Sequence, residues 1–242
     1  MLLKKWEALP PEMQINAVRP YYDILAKKSA ELLLKRIFDI AVSAVMLVVL
    51  SPLMLILALA VKLDSKGPVF YRQERVTQYG RHFSIYKFRS MVQNADKGSL
   101  VTTSGDARIT RVGRIIRKYR LDEISQLLNI LHGDMTFVGT RPEVPKYVAQ
   151  YTPEMLATLL LPAGVTSLAS IYYKDEAELL DNAENADQVY IESVLPAKMA
   201  YNLKAIEQFS FLGDIRIMFM TFLAMCGKEY QSRMSKQYKE LQ

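Results

Sequence analysis

The sequence predicts a mostly helical α/β protein that carries a short β-hairpin and is embedded in a membrane. Half of its 242 residues are apolar although 23% are charged, which is too hydrophobic for a disordered chain and high for a purely soluble domain. Residues 40–61 form an apolar run without a charged side chain. Aromatic and β-branched residues flank the turn at residues 78–80, as expected of a hairpin. One domain is expected, since single domains commonly reach roughly 100–200 residues or more.

The charge balance and the cysteine content limit the functional classes. The chain has 31 Lys+Arg against 25 Asp+Glu, a formal net charge of +6. This excess indicates an anionic partner, which could be nucleic acid, a phosphate-bearing substrate or acidic lipid. The single cysteine, Cys226, excludes an intrachain disulfide framework and a multi-thiolate metal site. A reducing, cytosol-facing location is therefore expected.

The apolar run at residues 40–61 is long enough to cross a bilayer as a straight helix. Ser51-Pro52 lies at its centre, and a proline there should kink or break the helix. A kinked spanning helix and a helix–break–helix that returns to the same face both fit this pattern. Basic residues are balanced on the two flanks, which is typical of two cytoplasmic ends but also fits a weakly oriented spanning helix. They are Lys27, Lys28, Lys35 and Arg36 before the run and Lys62, Lys66, Arg72 and Arg75 after it.

The remaining pattern predicts two strands and several helices. Residues 69–76 and 82–91 have the composition of two hairpin strands. Helical spacing of apolar residues between 109 and 131 predicts either one helix or two helices joined just before an acidic pair. Residues 195–209 and 211–226 also have a helical pattern, and the second segment fits either a core helix or an interfacial helix.

The densest group of reactive side chains lies between residues 108 and 143. Arginines at a spacing of three turn by about 300° around a helix, so they cannot share one narrow face. A non-catalytic explanation is that the arginines are solvated charges on a helix and that the acidic pair complements a helix dipole. Phosphoryl transfer would use the same set, because cations neutralise phosphate oxygens while carboxylates hold a divalent metal or act as nucleophiles. The arginines at this spacing, which precede the acidic pair in the sequence, are Arg108, Arg111, Arg114, Arg117 and Arg120. The residues that could supply the roles in phosphoryl transfer are Asp122, Glu123, Arg141, Lys87 and Arg89.

Several other kinds of site are excluded or disfavoured. The chain has no Walker loop, no G-x-G-x-x-G motif and no pair of aspartates at i, i+2, so a nucleotide would have to be held in another way. His82 and His132 lie far apart in sequence and in unlike contexts, and we expect structural or surface roles for both. No motif supports a Ser-His-Asp or Cys-His site.

Four stretches of the chain resemble the bacterial sugar transferases, which are monotopic polyprenyl-phosphate phosphoglycosyl transferases. They occur in order across most of residues 35–221 and include the Ser-Pro inside the apolar run and a Leu-Asp-Glu before Gln-Leu. The stretches are KRIFDIAVSAVMLVVLSPLMLILALAVKLDSKGPVFYRQERV (35–76), IYKFRSM (85–91), RLDEISQLLNILHGDMTFVGTRPE (120–143) and FLGDIRIMFMT (211–221).

This resemblance implies a reaction at the cytoplasmic face of the bacterial inner (plasma) membrane. A sugar-1-phosphate is transferred from a UDP-sugar to undecaprenyl phosphate, UMP is released, and Mg²⁺ is the cofactor. The product, undecaprenyl-diphosphate-sugar, begins the synthesis of a surface glycan. Asp122 would attack the β-phosphorus and form a covalent phosphosugar intermediate, with Glu123 as its partner in metal binding or proton handling. Lys87, Arg89, Arg117 and Arg141 would bind substrate phosphates.

The resemblance also implies a membrane topology. Ser51 and Pro52 match the break of the family's re-entrant helix, which corresponds to residues 36–62. A monotopic protein with interfacial amphipathic helices and two cytoplasmic flanks is therefore favoured over a spanning helix. The expected divisions are an amphipathic, basic segment at 1–34, a membrane-anchored catalytic domain at 35–227 and a polar tail at 228–242.

Two regions depart from the family pattern. Thr140 replaces the usual proline of a Gly-Pro-Arg-Pro loop. In LPAGVTSLAS (residues 161–170), Leu161 stands for an arginine, Ala163 is additional, and Ser167 and Ser170 replace a glycine and a glutamine. These departures bear on the sugar and nucleotide contacts and leave the Asp-Glu chemistry untouched.

The expected partners are a UDP-sugar donor, undecaprenyl phosphate and inner-membrane lipid, with no nucleic acid and with homo-oligomerisation left open. Two alternatives remain at this point. One is a non-catalytic membrane-anchored protein whose basic stretch at 108–120 holds anionic lipid, nucleic acid or another protein. The other is an ordinary glycosyltransferase, which would release UDP.

Overall fold

A computed structural model of the protein describes residues 3–93, 95, 106–173 and 185–225. Cys226 and the expected polar tail lie outside these described residues. Within them, the chain is mostly helical with two short two-stranded sheets. The helices and strands are, in order, α1 (Arg19–Ala26), α2 (Ser29–Asp64), β1 (Phe70–Val76), β2 (His82–Phe88), α3 (Arg111–Lys118), α4 (Gln126–His132), β3 (Met135–Val138), α5 (Pro145–Val148), β4 (Ala163–Thr166), α6 (Leu168–Tyr172), α7 (Ala186–Val189), α8 (Leu195–Glu207) and α9 (Phe211–Met225).

Helix α2 contains the whole apolar run and continues through Ser51 and Pro52. The run is thus one helix in this structure rather than two separate helices, and the kink expected at Pro52 stays a prediction. Proline has no N–H to donate to the carbonyl oxygen four residues earlier, which belongs to Val48. The hydroxyl of Ser51 donates to this oxygen at 2.8 Å. It satisfies the acceptor that the proline leaves free, which is one way in which apolar helices tolerate proline.

Helix α2 packs one side against the rest of the protein along much of its length. Phe38 and Leu47 contact the cluster around Phe137, and Val61 is buried with Ile116. Among the described residues, α2 is the one helix that is long and apolar enough to cross a membrane, judged by length and composition. Its opposite side exposes Ile37, Ile40, Val45, Val48, Val49, Leu55, Ile56 and Leu59.

Buried polar contacts fix the N-terminal part of α2 to two other elements. The ammonium group of Lys35 lies 2.5 Å from a carboxylate oxygen of Asp214 in α9, and it donates to the carbonyl oxygen of Val138 at 2.8 Å. One turn further along, the carboxylate of Asp39 accepts a hydrogen bond from the hydroxyl of Thr136 at 2.7 Å. Buried charges persist in proteins when they are paired and hydrogen-bonded in this way. These contacts join α2, β3 and α9.

Strands β1 and β2 form the antiparallel hairpin that the sequence predicts, with Phe70 opposite Phe88. The second sheet, in which β3 and β4 run parallel, was not predicted. The backbone of β4 at Gly164 approaches the residue after β3, Gly139, very closely. A β-carbon on Gly164 would lie 2.2 Å from the backbone nitrogen of Gly139. Only glycine fits Gly164, and the close approach holds the loop that follows Gly139.

The helical pattern after residue 108 corresponds to two α-helices, α3 and α4, which agrees with one of the two alternatives. The chain turns at Arg120, whose backbone is left-handed (φ 51°, ψ 30°). It then forms a 3₁₀ turn, Leu121–Glu123, before α4 begins. This turn separates two helices that would otherwise continue as one, and it carries the acidic pair.

The ends of the described chain complete the fold. Leu9 and Leu25 of the N-terminal segment are buried in one core with Leu160 and Leu203, so this segment packs into the same body as the later helices. The expected division between residues 34 and 35 falls inside α2. At the other end, α8 and α9 lie within their predicted ranges, and α9 exposes Leu212, Phe219 and Phe222.

Candidate active site

The side chains that the sequence singled out meet in a cleft of about 970 Å³. The cleft lies between the hairpin, the end of α3, the turn that carries Asp122 and Glu123, and the loop after β3. It brings Lys87 of β2 and Arg141 of that loop to the acidic pair, although 36 and 18 positions separate them from Glu123. All six residues expected to bind substrate or metal line it: Asp122, Glu123, Lys87, Arg89, Arg117 and Arg141.

Local contacts hold the acidic turn against β2. The hydroxyl of Ser125 is buried and donates to the backbone carbonyl of Tyr86 at 2.9 Å. One turn later, the amide nitrogen of Asn129 donates to the carbonyl of Ser84 at 2.9 Å, and its amide oxygen accepts from the N–H of Tyr86. These contacts place Asp122 beside the strand that carries Lys87. The roles of Ser125 and Asn129 have no signal in the sequence, since polar residues near a helix start occur for many reasons.

Glu123 is held by two cations. A carboxylate oxygen of Glu123 lies 2.6 Å from a guanidinium nitrogen of Arg141 and 3.6 Å from the ammonium group of Lys87. Burial alone would raise the pKa of Glu123, but the charges of Arg141 and Lys87 and the hydrogen bond from Arg141 outweigh it and lower this pKa to about 2. Glu123 is therefore ionised at neutral pH and orients both cations.

Asp122 has a different environment. No other side chain of the described residues forms a hydrogen bond or an ion pair with its carboxylate. Burial raises the pKa of Asp122 above its ordinary value, the charge of Glu123 adds to this rise, and the charges of Lys87 and Arg117 oppose it. A carboxylate with a raised pKa is more basic and more nucleophilic than one tied in an ion pair. The structure thus gives the two adjacent carboxylates separate properties.

Lys87 and Arg117 also face this cleft. Burial and the positive charge of Arg141 lower the pKa of Lys87, and Glu123 opposes this effect. Arg117 lies on α3 with an exposed side chain. Its charge acts on Asp122, so the end of α3 adds positive potential to the cleft.

Arg89 lies in the wall of the cleft but makes structural contacts. Its side chain is buried, and its guanidinium group donates to the carbonyl oxygens of Ser65 at 2.7 Å and Lys66 at 2.8 Å. A longer bond reaches the carbonyl of Val61. The last carbonyls of a helix lack partners within it, and Arg89 satisfies those at the end of α2. These contacts favour a role in joining α2 to the hairpin, and the phosphate-binding role of Arg89 stays a prediction.

The loop that carries Arg141 is fixed from two sides. A guanidinium nitrogen of Arg75 donates to the carbonyl oxygen of Pro142 at 2.9 Å. The buried carboxylate of Glu143 accepts a hydrogen bond from the hydroxyl of Tyr190 at 2.5 Å. By its position in the sequence, Arg75 is one of the basic residues that flank the apolar run. The period-two pattern of β1, which turns Arg75 inward, is the signal that could have found it.

The acidic pair suits a magnesium ion bound mainly by substrate. Among the residues that the structure describes, no group of three or more His, Cys, Asp and Glu side chains could form a metal site. Mg²⁺ usually keeps several waters and is held by one or two carboxylates together with substrate phosphates. Asp122 and Glu123 fit that donor set, in which water and substrate phosphates supply the remaining ligands.

None of the residues that depart from the family pattern lines the cleft that holds the acidic pair. Leu161, Ser167 and Thr140 line a second cleft of about 380 Å³. The hydroxyl of Ser167 accepts from the N–H of Ser170 at the start of α6, a helix cap. Thr140 uses its backbone carbonyl to accept from Gly164 at 2.8 Å, and a proline would offer the same group. Ala163 pairs with Met135 in the parallel sheet, and His82 and His132 line neither of these two clefts.

The fold and the cleft define a mostly helical protein with one membrane-length helix and a carboxylate pair set among cations, an arrangement suited to phosphate-bearing substrates. The family model described as bacterial sugar transferase matches residues 30–228. The chain belongs to this family, as the sequence resemblance predicted.

Curated relatives carry names that agree with this membership. The UDP-N-acetylgalactosamine-undecaprenyl-phosphate N-acetylgalactosaminephosphotransferase of Aeromonas hydrophila is 37% identical over 78% of this chain and 42% of its own length. The UDP-glucose:undecaprenyl-phosphate glucose-1-phosphate transferase of Escherichia coli is 34% identical over 87% of this chain and 44% of its own length. The Caulobacter vibrioides protein of the same name is 36% identical over 76% of this chain and 72% of its own length. The chain thus spans less than half of the first two relatives and most of the third.

Proposed function

We propose that this protein transfers a sugar-1-phosphate from a UDP-sugar to undecaprenyl phosphate, releasing UMP and forming undecaprenyl-diphosphate-sugar. The observation that carries the proposal is the difference between the two adjacent carboxylates in a cation-lined cleft. Glu123 is ion-paired with Arg141 at 2.6 Å, while Asp122 is left without a side-chain partner among the described residues. The names of the relatives support the choice of donor and acceptor.

Asp122 acts as the nucleophile in this proposal. A carboxylate oxygen of Asp122 attacks the β-phosphorus of the UDP-sugar, and the bond from that phosphorus to the bridging oxygen breaks. The bridging oxygen leaves with the bonding electrons as part of UMP, and the phosphosugar stays on Asp122 as an acyl phosphate. A phosphate oxygen of undecaprenyl phosphate then attacks the same phosphorus, which frees the carboxylate and forms the diphosphate product.

The neighbouring side chains position the phosphates and neutralise their charge. Arg141 and Lys87 are oriented by Glu123, so they do not have to be ordered when the donor binds. We propose Mg²⁺ as cofactor, held by Asp122 and Glu123 with the donor phosphates, where it would neutralise phosphate charge. The loop contact from Arg75 to Pro142 at 2.9 Å keeps Arg141 facing the acidic pair.

We expect that α2 enters the membrane and that both of its ends lie on the cytoplasmic face of the bacterial inner membrane. Both ends contact the body that carries the cleft: Lys35 near the start pairs with Asp214, and Asp64 at the end accepts a hydrogen bond from the N–H of Val112 at 3.0 Å. A helix that carried one end across the bilayer would have to separate from that body. The exposed apolar sides of α2 and α9 then face lipid, which supports a monotopic arrangement.

Cysteine labelling tests this topology. In a Cys226→Ser background, Lys27→Cys and Lys66→Cys each place a thiol on an exposed side chain beside one end of α2. Both thiols are expected to react with a membrane-impermeant maleimide only after the inner membrane of the cells is permeabilised. Reaction of one thiol in intact spheroplasts, with protection of the other, would establish a spanning helix instead.

Nucleotide release tests the reaction. Detergent-solubilised full-length protein is given Mg²⁺, undecaprenyl phosphate and each of a panel of UDP-sugars, and the products are separated by chromatography. UMP from one or a few donors is expected, with one equivalent per enzyme when the lipid is omitted, because the proposed intermediate forms before the acceptor reacts. UDP would indicate an ordinary glycosyltransferase. Release of neither nucleotide with any donor would favour the non-catalytic, membrane-anchored alternative.

A further inference from the structure

Arg120 has an unusual backbone for an arginine. Of the described residues other than glycine, only Tyr79 and Arg120 have a positive φ. Left-handed backbone is unfavourable for a residue with a β-carbon and is normal for glycine. Among the same described residues, glycine occupies the other three positions with a positive φ: Gly67, Gly80 and Gly133. A left-handed residue commonly ends a helix, and glycine is the usual residue there; a strained arginine at such a position points to a use for its side chain.

The left-handed residue shapes the acidic turn. It lies between the end of α3 at Lys118 and the 3₁₀ turn Leu121–Glu123. The carbonyl oxygen of Arg120 accepts the hydrogen bond from the N–H of Glu123 at 3.3 Å. Glycine would form the same turn at lower cost, so the backbone geometry alone does not require an arginine.

The side chain of Arg120 lines the cleft and is exposed. Within the described parts of the chain, no carboxylate forms an ion pair with it. Its positive charge nevertheless reaches the acidic pair, since it contributes to the lowered pKa of Glu123. The side chain of Arg120 thus lines the cleft without being held by a carboxylate of the described residues.

The charge balance of the cleft shows why a further cation matters. The carboxylates of Asp122 and Glu123 carry two negative charges, and Lys87 and Arg141 carry two positive charges in contact with or close to them. This group of four is neutral in sum, so the positive charge available to a ligand comes from the other cations that line the cleft, Arg117 and Arg120 among them. A diphosphate is strongly anionic, so it binds well only if other cations supply an excess of positive charge.

We propose that Arg120 is an additional phosphate-binding residue of this cleft, and that its left-handed backbone is strain retained because it brings the guanidinium group to the acidic pair. The inference rests on the proposed function. The ligand chemistry is a phosphate oxygen, which either the nucleotide diphosphate or the lipid phosphate supplies. A purely structural arginine would instead be replaceable by glycine without loss.

The Arg120→Gly variant separates these roles, because its effects on stability and on activity are expected to have opposite signs. Relief of the left-handed strain should raise the midpoint of thermal unfolding by about 2 to 4 °C. Loss of a charge-assisted hydrogen bond should lower kcat/KM by about 10- to 100-fold. Arg120→Lys should keep part of the activity without the gain in stability. Wild-type kcat/KM in Arg120→Gly would overturn the inference.

A matched control variant, and measurements of KM for the UDP-sugar and for undecaprenyl phosphate, complete the experiment. Arg114→Ala removes an exposed arginine of the same stretch that does not line the cleft, and its kcat/KM should match that of the wild type. A raised KM of Arg120→Gly for the UDP-sugar alone would assign Arg120 to the donor, and a raised KM for undecaprenyl phosphate alone would assign it to the acceptor. Either result supports the inference.

A binding measurement keeps the inference distinct from the reaction. Inorganic pyrophosphate with Mg²⁺ is expected to raise the unfolding midpoint of the wild type and of Arg114→Ala, and to do so much less for Arg120→Gly. An equal shift in all three proteins would exclude Arg120 as a phosphate ligand. If the wild-type protein released no UMP, the proposed function would fail, and this measurement would still decide whether Arg120 binds phosphate.

Discussion

Replacement of Asp122 by asparagine is expected to lower kcat by about 10⁴-fold or more, since the amide cannot act as the nucleophile and losses of that order follow when a nucleophile is removed. The side chain keeps its size, and no side-chain partner among the described residues is lost, so the fold should be retained. Steady-state UMP release and the thermal unfolding midpoint measure the two effects. Turnover within tenfold of the wild type would contradict the covalent mechanism.

The matched control is Asp23→Asn, which changes a carboxylate that does not line the cleft. The ion pair of Asp23 with Arg19 is solvent-exposed and worth at most about 1 kcal/mol. Its kcat should equal that of the wild type.

A second readout of the role of Asp122 is the pH profile of kcat/KM. Asp122 must be ionised to attack, and burial raises its pKa, so kcat/KM should fall as the pH decreases through that pKa. Glu123→Gln removes a negative charge that raises this pKa and should move the acid limb to lower pH.

Replacement of Lys35 by methionine is expected to lower the free energy of unfolding by about 3 to 5 kcal/mol, the usual cost of breaking a buried ion pair by removing one partner. The ammonium group of Lys35 lies 2.5 Å from Asp214, and the two side chains are 3% and 13% exposed. Without Lys35, Asp214 would remain as a largely buried carboxylate near Asp39, whose charge already acts on it. Denaturant unfolding of the detergent-solubilised protein measures the loss.

The double variant Lys35→Met/Asp214→Leu is the control for this second prediction. An apolar pair of similar volume should recover most of the lost stability, because no unpaired charge is left. The loss in Lys35→Met should also become smaller at lower pH, since burial raises the pKa of Asp214 and protonation removes the unpaired charge. A single variant as stable as the wild type at neutral pH would show that this contact does not hold α2 to α9.

Local sequence patterns were sufficient for a large part of the fold. The hairpin follows from strand-forming residues around a turn, and the membrane-length helix follows from an unbroken apolar run. Both signals are contained within short segments. The effect of Pro52 was not predictable in the same way, because it depended on whether the hydroxyl of Ser51 would reach the carbonyl of Val48.

The same contrast between local sequence signals and tertiary contacts applies to the site. The sequence by itself determined that Asp122 and Glu123 are adjacent, that many basic residues lie near them in the chain, and that the chain belongs to the sugar transferases. Residue identity and spacing are read directly from the chain. Only the tertiary structure decided that Arg141 binds Glu123, that Asp122 has no side-chain partner among the described residues, that Arg89 binds carbonyl oxygens at the end of α2, and that Arg120 lines the cleft. Such contacts join segments far apart in sequence, and burial and charge around each group are set by which segments meet.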